Sequence, residues 1–557
     1  MYFTLAVSAA TRQACAALAD AARRTDPRVM PIPGPARMTW RAPDGSAVVL
    51  HWGDADSPGR SHAGTIWGES ATVHARTGLT RVDPVYLAEV AGAVVVSDRA
   101  CWAAAVTGRM GDPDPAMAGA FLSLGYPVGG ATPFRGVRAL GGDRTLRLAG
   151  GRAAGGRLAG GRAAGAEDER PAEADRIAGA DRVAGALTEA VRPLGGTDAP
   201  VELSLTGGKD SRLVAAALAA ARVPFRARTY GFAGHPDVVV AGLIAGRLGV
   251  EHTVTRPRPP GAPDEADVLR RLRAAVLVSD GMLSAFENVG WPDPQSACGP
   301  TEAGGHGGEL LRGGYAQAAW RTPAAWRTPA ALRAAAAPLD AVAAAELFRR
   351  MTTRRLSLLR PGPARAYLAS LGPQTAALAR GPLAALDDFY LVNRAGRWSA
   401  AARQAYLLRS RLIQPLFADG VVRAARAVPL RDRMSDRLHR DVLGVLCPEL
   451  LGLPLAGTPW HGEPRTAATV LTAPRGPAAA DWRRDYGDDV AGFLRGYVLD
   501  HGGASPVFGI VRRSAAERLL RAPQADRHGV WALATLTALL SGDWLSAREP
   551  ASQALFG

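Results

Sequence analysis

Between the apolar run Val201–Leu205 and the alanine- and leucine-rich stretch Arg212–Val223, the chain places Thr206-Gly207-Gly208-Lys209-Asp210-Ser211. The short apolar run suits a buried strand and the longer stretch has strong helix propensity, so the junction reads as strand, tight turn, helix. A second such pair follows at once. Phe225–Phe232 reads as a strand, and Val238–Gly249 as a helix stopped by Gly249. Upstream, Ile177, Val183, Leu187 and Val191 recur at nearly helical spacing before Gly195-Gly196. Strands alternating with helices through short connections imply an α/β architecture with a parallel sheet wrapped by helices.

The turn itself is suited to an anion. At a strand-to-helix junction, main-chain N–H groups and the helix dipole converge on negative charge. Gly207 and Gly208 let the backbone approach closely, Thr206 and Ser211 supply hydroxyl groups, and Asp210 offers a hard oxygen to Mg2+. Lys209 either adds charge there or points away. Neither GxxxxGK[ST] nor GxGxxG is present. Taken alone, a two-glycine turn is as well explained by an ordinary βα connection.

With 557 residues the chain is long enough for two domains. Residues 1–150 carry short strand-like runs, YFTLAV, SAVVLHW, VAGAVVVSD and RTLRLAG, with a helical stretch over Pro115–Leu124. Residues 151–175 are rich in Gly and Ala, lack an apolar face and read as a linker or loop. Residues 176–557 form the second domain, mostly helical beyond residue 320.

The net charge is +15, yet Lys209 is the only lysine. Arginine this dominant, spread evenly rather than interleaved with aromatics, reads as coding bias and a solvated basic surface; no nucleic-acid partner is expected. Cys15, Cys101, Cys298 and Cys447 lie far apart without a CxxC pair, which points to reduced thiols and neither zinc nor a disulfide framework. No signal segment or spanning run is evident, so no membrane association is expected and the place is the cytoplasm.

The Thr206–Ser211 loop resembles the Ser-Gly-Gly-x-Asp-Ser loop of the N-type ATP pyrophosphatases, with threonine for the first serine. Gly305-His306-Gly307-Gly308-Glu309-Leu310-Leu311-Arg312-Gly313-Gly314-Tyr315 is similar to the Ser-Gly-Glu-Gly-x-Asp-Glu-x-x-Gly-Gly-Tyr motif of asparagine synthetases. The resemblance implies an adenine-nucleotide α-hydrolase-like sheet that binds ATP and Mg2+ through Thr206 to Ser211, Gly231 beside the adenine and Gly305. Asp210 and Glu309 then hold the metal. His306 falls where a family side chain activates the attacking amine; it is equally a structural histidine or one bonded to phosphate. Asp237 matches a family acid or is a plain helix N-terminal acid. Asp280 and Glu287 line the acyl-substrate side or lie on the surface. Asn393-Arg394 and Pro415–Asp419 loosely resemble elements of the helical half. The family's late-loop lysine is missing; Arg437, Arg440 or the main chain near Pro454–Gly457 would replace it.

Residues 1–150 resemble a degenerate Ntn glutaminase-like α+β domain. Residue 2 is Tyr where glutamine-dependent synthetases carry a cysteine, so the resemblance implies an amine that arrives as substrate. Among such relatives the chain is most similar to the lasso peptide macrolactam synthetases, the lasso cyclases. That implies a core peptide as substrate, with a leader peptidase and a leader-peptide-binding protein as partners. The alternatives are a small-molecule amide or β-lactam synthetase, a noncatalytic synthetase-like scaffold, and a tRNA-modifying pyrophosphatase-loop enzyme. The missing cysteine pairs count against the last.

Overall fold

The strand-like runs of the amino-terminal part form two antiparallel sheets in the computed structural model. It describes residues 2–24, 37–53, 65–157, 173–197, 199–256, 264–287, 300–320, 339–407, 411–472, 488–500 and 505–546. The strands are β1 (Tyr2–Ala9), β2 (Arg37–Arg41), β3 (Ala47–Gly53), β4 (Thr65–Glu69), β5 (Thr72–Thr77), β6 (Tyr86–Val90), β7 (Ala93–Ser97), β8 (Val137–Ala139), β9 (Arg144–Ala149) and β10 (Arg152–Arg157). One sheet has the order β2-β3-β1-β7-β6-β8 and the other β10-β9-β5-β4. Ala6, Val49, Val94 and Val96 of the first sheet meet Val73, Ala75, Leu146 and Leu148 of the second in a shared core. Helices α1 (Arg12–Arg23), α2 (Ala100–Val106) and α3 (Pro115–Leu124) belong to the core on the other face of the larger sheet.

Two readings change here. VAGAVVVSD is not one strand but the hairpin of β6 and β7, with Val90 opposite Ala93. The glycine-rich tract begins as sheet: β10 pairs with β9 from Arg152 opposite Ala149. Gly150 and Gly151, at φ +53° and +72°, supply the two left-handed residues that a two-residue hairpin turn demands. Residues 158–172, the rest of that tract, lie outside the described residues.

The second half opens with α4 (Glu173–Val191), whose Val183, Leu187 and Val191 are buried while Ile177 is exposed. Then come β11 (Val201–Ser204), α5 (Lys209–Ala220), β12 (Phe225–Tyr230), α6 (Pro236–Leu248), β13 (His252–Thr255), α7 (Glu265–Ser279) and β14 (Thr301–Gly304). Pro236 at the first position of α6 and Gly249 in the left-handed region after it delimit that helix. The sheet is parallel, with the order β13-β12-β11-β14-β15. Its edge strand β15 (Arg411–Ile413) comes from the part of the chain that reads as helical. Val201 and Leu203 are fully buried, as a strand covered by helices on both faces requires.

The surplus of arginine is not only surface. Eight arginines are buried among the described residues: Arg81, Arg99, Arg212, Arg271, Arg355, Arg397, Arg403 and Arg433. Their guanidinium forks bond main-chain carbonyls of distant segments, a task that a planar five-donor group performs better than an ammonium. Arg271, for example, donates to the carbonyls of Ala285 and Glu287. Among the described residues no helix is long and apolar enough to cross a membrane.

Candidate functional site

Chain order within the parallel sheet locates a crevice. β11, β12 and β13 run outward in one direction, while β14 and β15 lie on the other side of β11. The strand order therefore reverses between β11 and β14, and ligands of open α/β sheets bind outside the carboxyl ends of the strands at that point. The register Ser204↔Gly304 sends the two following loops off the same edge, side by side. They are the Thr206–Ser211 loop and the Gly305–Glu309 loop.

The loops touch at glycines. A Cβ on Gly305 would lie 2.6 Å from the Ser211 amide nitrogen, and one on Gly308 would lie 2.1 Å from the Asp210 carboxyl group. Only hydrogen fits at either place. Gly305→Ala is accordingly expected to lower AMP formation about 10²-fold, by displacing Asp210 on the order of 1 Å while removing no functional group. Pyrophosphate release under saturating ATP measures it, and unimpaired release would show that the close packing of the loops is dispensable.

Helix α5 begins at Gly208 with no side-chain cap, which leaves its first turn directed at the crevice. The loop hydroxyls hold each other: Thr206 Oγ1 and Ser211 Oγ are 3.0 Å apart, and Ser211 Oγ accepts the Thr206 N–H at 3.0 Å. Asp237 accepts the Gly207 N–H at 2.9 Å, so this acid on α6 fixes the loop besides opening its helix. Gly231, at the end of β12, donates its N–H to the Thr255 carbonyl at 3.1 Å.

Asp210 lies in the first turn of α5. Its Oδ2 accepts from Arg312 Nη2 at 2.7 Å, while its buried Oδ1 has no hydrogen-bond donor. Burial pushes its pKa up to about 6, Arg312 opposes this, and the charge of Glu309 adds to it. Glu309, exposed on α8 (Gly308–Leu311), also raises the pKa of His306, Tyr315 and Tyr390. It is thus common to the Asp210–Arg312 pair and to the histidine and tyrosine cluster. Partial removal of the His306 ring from water lowers its pKa, Glu309 opposes this, and the charge of Arg394 adds to it. At neutral pH the imidazole is neutral.

Lys209 turns away from the mouth of the loop. Its ammonium, buried with Asp436, bonds Asp436 Oδ2 at 2.7 Å and the Pro459 carbonyl at 2.9 Å, 4.9 Å from the centre of the Trp460 ring. Arg212 donates to the carbonyls of Leu450 and Leu453 at 3.1 and 3.0 Å and to that of Pro454. The Ala456 N–H donates to the Gly207 carbonyl at 2.9 Å. The late segment 450–460 is therefore fastened to the Thr206–Ser211 loop and α5 through its main chain. Of the side chains weighed for the missing lysine, Arg437 is exposed and Arg440 pairs with Glu463 at 2.9 Å.

Other sequence candidates serve internal contacts, most of them across the junction of the two halves. Asp280 is buried, accepting from Arg99 and from the Ala100 N–H, the latter at 2.8 Å, so it lines no substrate surface. Glu287 accepts from Trp398 Nε1 at 3.2 Å. Asn393 accepts the Gly129 N–H at 2.7 Å, and Asp419 the Leu79 N–H at 2.7 Å. Sequence reasoning gave no role to Arg312, Arg212, Asp436 or His439. His439 is buried with its pKa lowered to about 3, and its Nε2 lies 3.2 Å from the Lys209 carbonyl and 3.5 Å from Asp210 Oδ1. Arg312 stands inside the second motif and Arg212 directly follows the first, so both were open to notice; Asp436 and His439 carry no such signal.

A buried carboxylate oxygen without a donor, with a second carboxylate nearby, suits a hard cation. Among the described residues no group of three or more His, Cys, Asp and Glu side chains encloses a metal. Magnesium that serves a nucleotide is held by one or two carboxylates together with phosphates and water, rather than by a protein cage. The arrangement has the features by which α/β domains hold nucleotide phosphates. The asparagine synthase family model matches residues 182–280, which include the Thr206–Ser211 loop, Gly231 and Asp237. A domain of that family implies ATP-dependent amide formation through an acyl adenylate, by an AMP-forming carbon–nitrogen ligase that uses ATP, typically with Mg2+. No curated protein matches the chain.

Proposed function

We propose that the protein is a lasso peptide cyclase, closing an isopeptide macrolactam in a ribosomal core peptide through an acyl adenylate. The observation that carries the ligase reading is the meeting of Asp210, Arg312 and Glu309 where β11 and β14 diverge. Magnesium, when bound, would neutralise charge on the phosphates and orient them. Asp210 and Glu309 are the side chains that would hold it. The first turn of α5, which has no side-chain cap, would face the phosphates, while Gly207 and Gly305 let the two loops pack closely on Val240, Ala456 and Ser211.

In the first step a substrate carboxylate oxygen attacks the α-phosphorus of ATP, the bond to the bridging oxygen breaks, and pyrophosphate leaves. In the second, an amine nitrogen attacks the acyl carbon, AMP leaves with the bonding pair, and the amine proton passes to the neutral ring of His306. Support for an amine that arrives as substrate comes from the first domain. Cys15 and Cys101 are buried and their pKa values are raised, Cys101 well above the usual thiol range, so neither is a thiolate nucleophile. An intramolecular amine gains from being held close to the acyl carbon, which favours a prefolded peptide over two separate reactants. A leader peptidase and a leader-peptide-binding protein are the partners this reading entails.

The test is pyrophosphate release driven by a leaderless precursor peptide against free amino acids and their analogues. Release with the peptide and a product lighter by one water supports the cyclase; release with amino acids alone moves the activity to small molecules. His306→Ala is expected to leave adenylate formation intact and to slow its capture about 10²-fold. Unchanged ring closure in that variant retires the general-base role.

A further inference from the structure

The helix that follows Pro382–Phe389 widens over Tyr390–Ser399 into a π-helix and returns to α-helix at Ala400–Leu407. In a π-helix hydrogen bonds close from i to i+5, so residues four apart are brought nearly into line, and such segments recur at functional sites. Here Tyr390, Arg394 and Trp398 fall on one face. Asn393 and Arg397, on another, bond the Gly129 N–H and the Ala131 carbonyl of the first domain.

Arg394 is half-buried, with its guanidinium 3.4 Å from the centre of the Trp398 ring and 5.9 Å from that of Tyr126. Among the described residues it makes no ion pair and no side-chain hydrogen bond. The surrounding tyrosines join it to the crevice: the Tyr126 and Tyr315 hydroxyls are 2.8 Å apart, and the Tyr315 and Tyr390 ring centres 5.0 Å. Tyr315 lies in the segment Gly314–Trp320, directly after the loop that carries His306 and Glu309.

A guanidinium stacked on an indole keeps its in-plane N–H donors free, and these match a carboxylate with two parallel hydrogen bonds. We propose that Arg394, presented by the π-helix between Trp398 and Tyr126, is the binding residue for the substrate carboxylate that becomes adenylated. The proposal rests on the amide-ligase reading and deepens it. It gives the donor subsite a cationic, aromatic wall that Tyr126 and Tyr315 join to the segment after the His306 loop.

The full-length protein is titrated with N-acetyl-glutamate N-methylamide, its glutamine counterpart and free glutamate, following tryptophan fluorescence, with ATP affinity measured separately. The wild type should prefer the glutamate probe over the glutamine probe by about 10- to 100-fold, the range of a hydrogen bond to a charged group. Arg394→Gln should abolish the preference and Arg394→Lys restore part of it, each keeping the thermal midpoint and the ATP affinity. Tighter binding of the blocked probe identifies a peptide side chain as the source of the carboxylate, and tighter binding of free glutamate a small molecule. No preference in the wild type, or a preference that survives Arg394→Gln, overturns the proposal. The ligase reading falls separately, if the wild type forms no AMP with any carboxylate.

Discussion

Asp210→Asn should reduce carboxylate-dependent AMP formation by about 10²–10³-fold, the loss seen when a group aimed at developing charge is removed. The substitution keeps the size and one carbonyl oxygen, so the helix start and the contact with Gly308 are preserved. What disappears is the negative charge, on a group whose Oδ1 has no donor and whose Oδ2 is 2.7 Å from Arg312. Two functions would fail together: the hard oxygen for the metal and the anion that fixes the Arg312 guanidinium. Quenched-flow measurement of AMP, beside circular dichroism to show an unchanged fold, checks this. Retention of more than a tenth of the activity would mean that Asp210 is only a helix-terminal acid.

The second large effect is on stability. Asp436→Asn leaves the Lys209 ammonium buried without its carboxylate, and breaking a buried ion pair in this way costs about 3–5 kcal/mol. Asparagine suits the exchange because Asp436 sits at φ +60°, a left-handed conformation that asparagine tolerates. Its side-chain oxygen still accepts from Gln317, which bonds Asp436 Oδ1 at 2.7 Å. The loss falls where the late segment meets the Thr206–Ser211 loop, so the amides of residues 455–460 should exchange faster in the variant. Adding Lys209→Met should recover most of the lost stability, since the stranded charge is gone. Urea denaturation of the four proteins closes the cycle. A cost below about 1 kcal/mol in the single variant would show the pair to be solvated.

These two sites also mark how much could be read in advance. The strand, turn and helix around Thr206–Ser211 were legible because each signal is local: an apolar run, two glycines, a run of alanine and leucine. The meeting with Gly305–Glu309 depends on the register Ser204↔Gly304 between strands about a hundred residues apart, which no local pattern encodes. Resemblance to a known motif supplied the second loop instead. The direction of Lys209 was not legible, because a lysine after two glycines suits phosphate and a buried acid equally well. Asp436 offered no pattern to decide between them. β15, three residues long, is too short for periodicity to reveal, and its place at the sheet edge depends on pairing with β14. The strand β10 was open to reading, since Gly150-Gly151 is a hairpin signal, but the repetitive composition after it pointed to a loop. Arginine counts say nothing of burial; only the packed chain shows that eight of those among the described residues tie its interior together.

The most direct measurement is the anomalous scattering of Mn2+ in crystals of the protein with a non-hydrolysable ATP analogue. One ion bound by Asp210 and Glu309, with the phosphates against the first turn of α5, is the result this account predicts. A nucleotide seated elsewhere, or an ion that touches neither carboxylate, would contradict it.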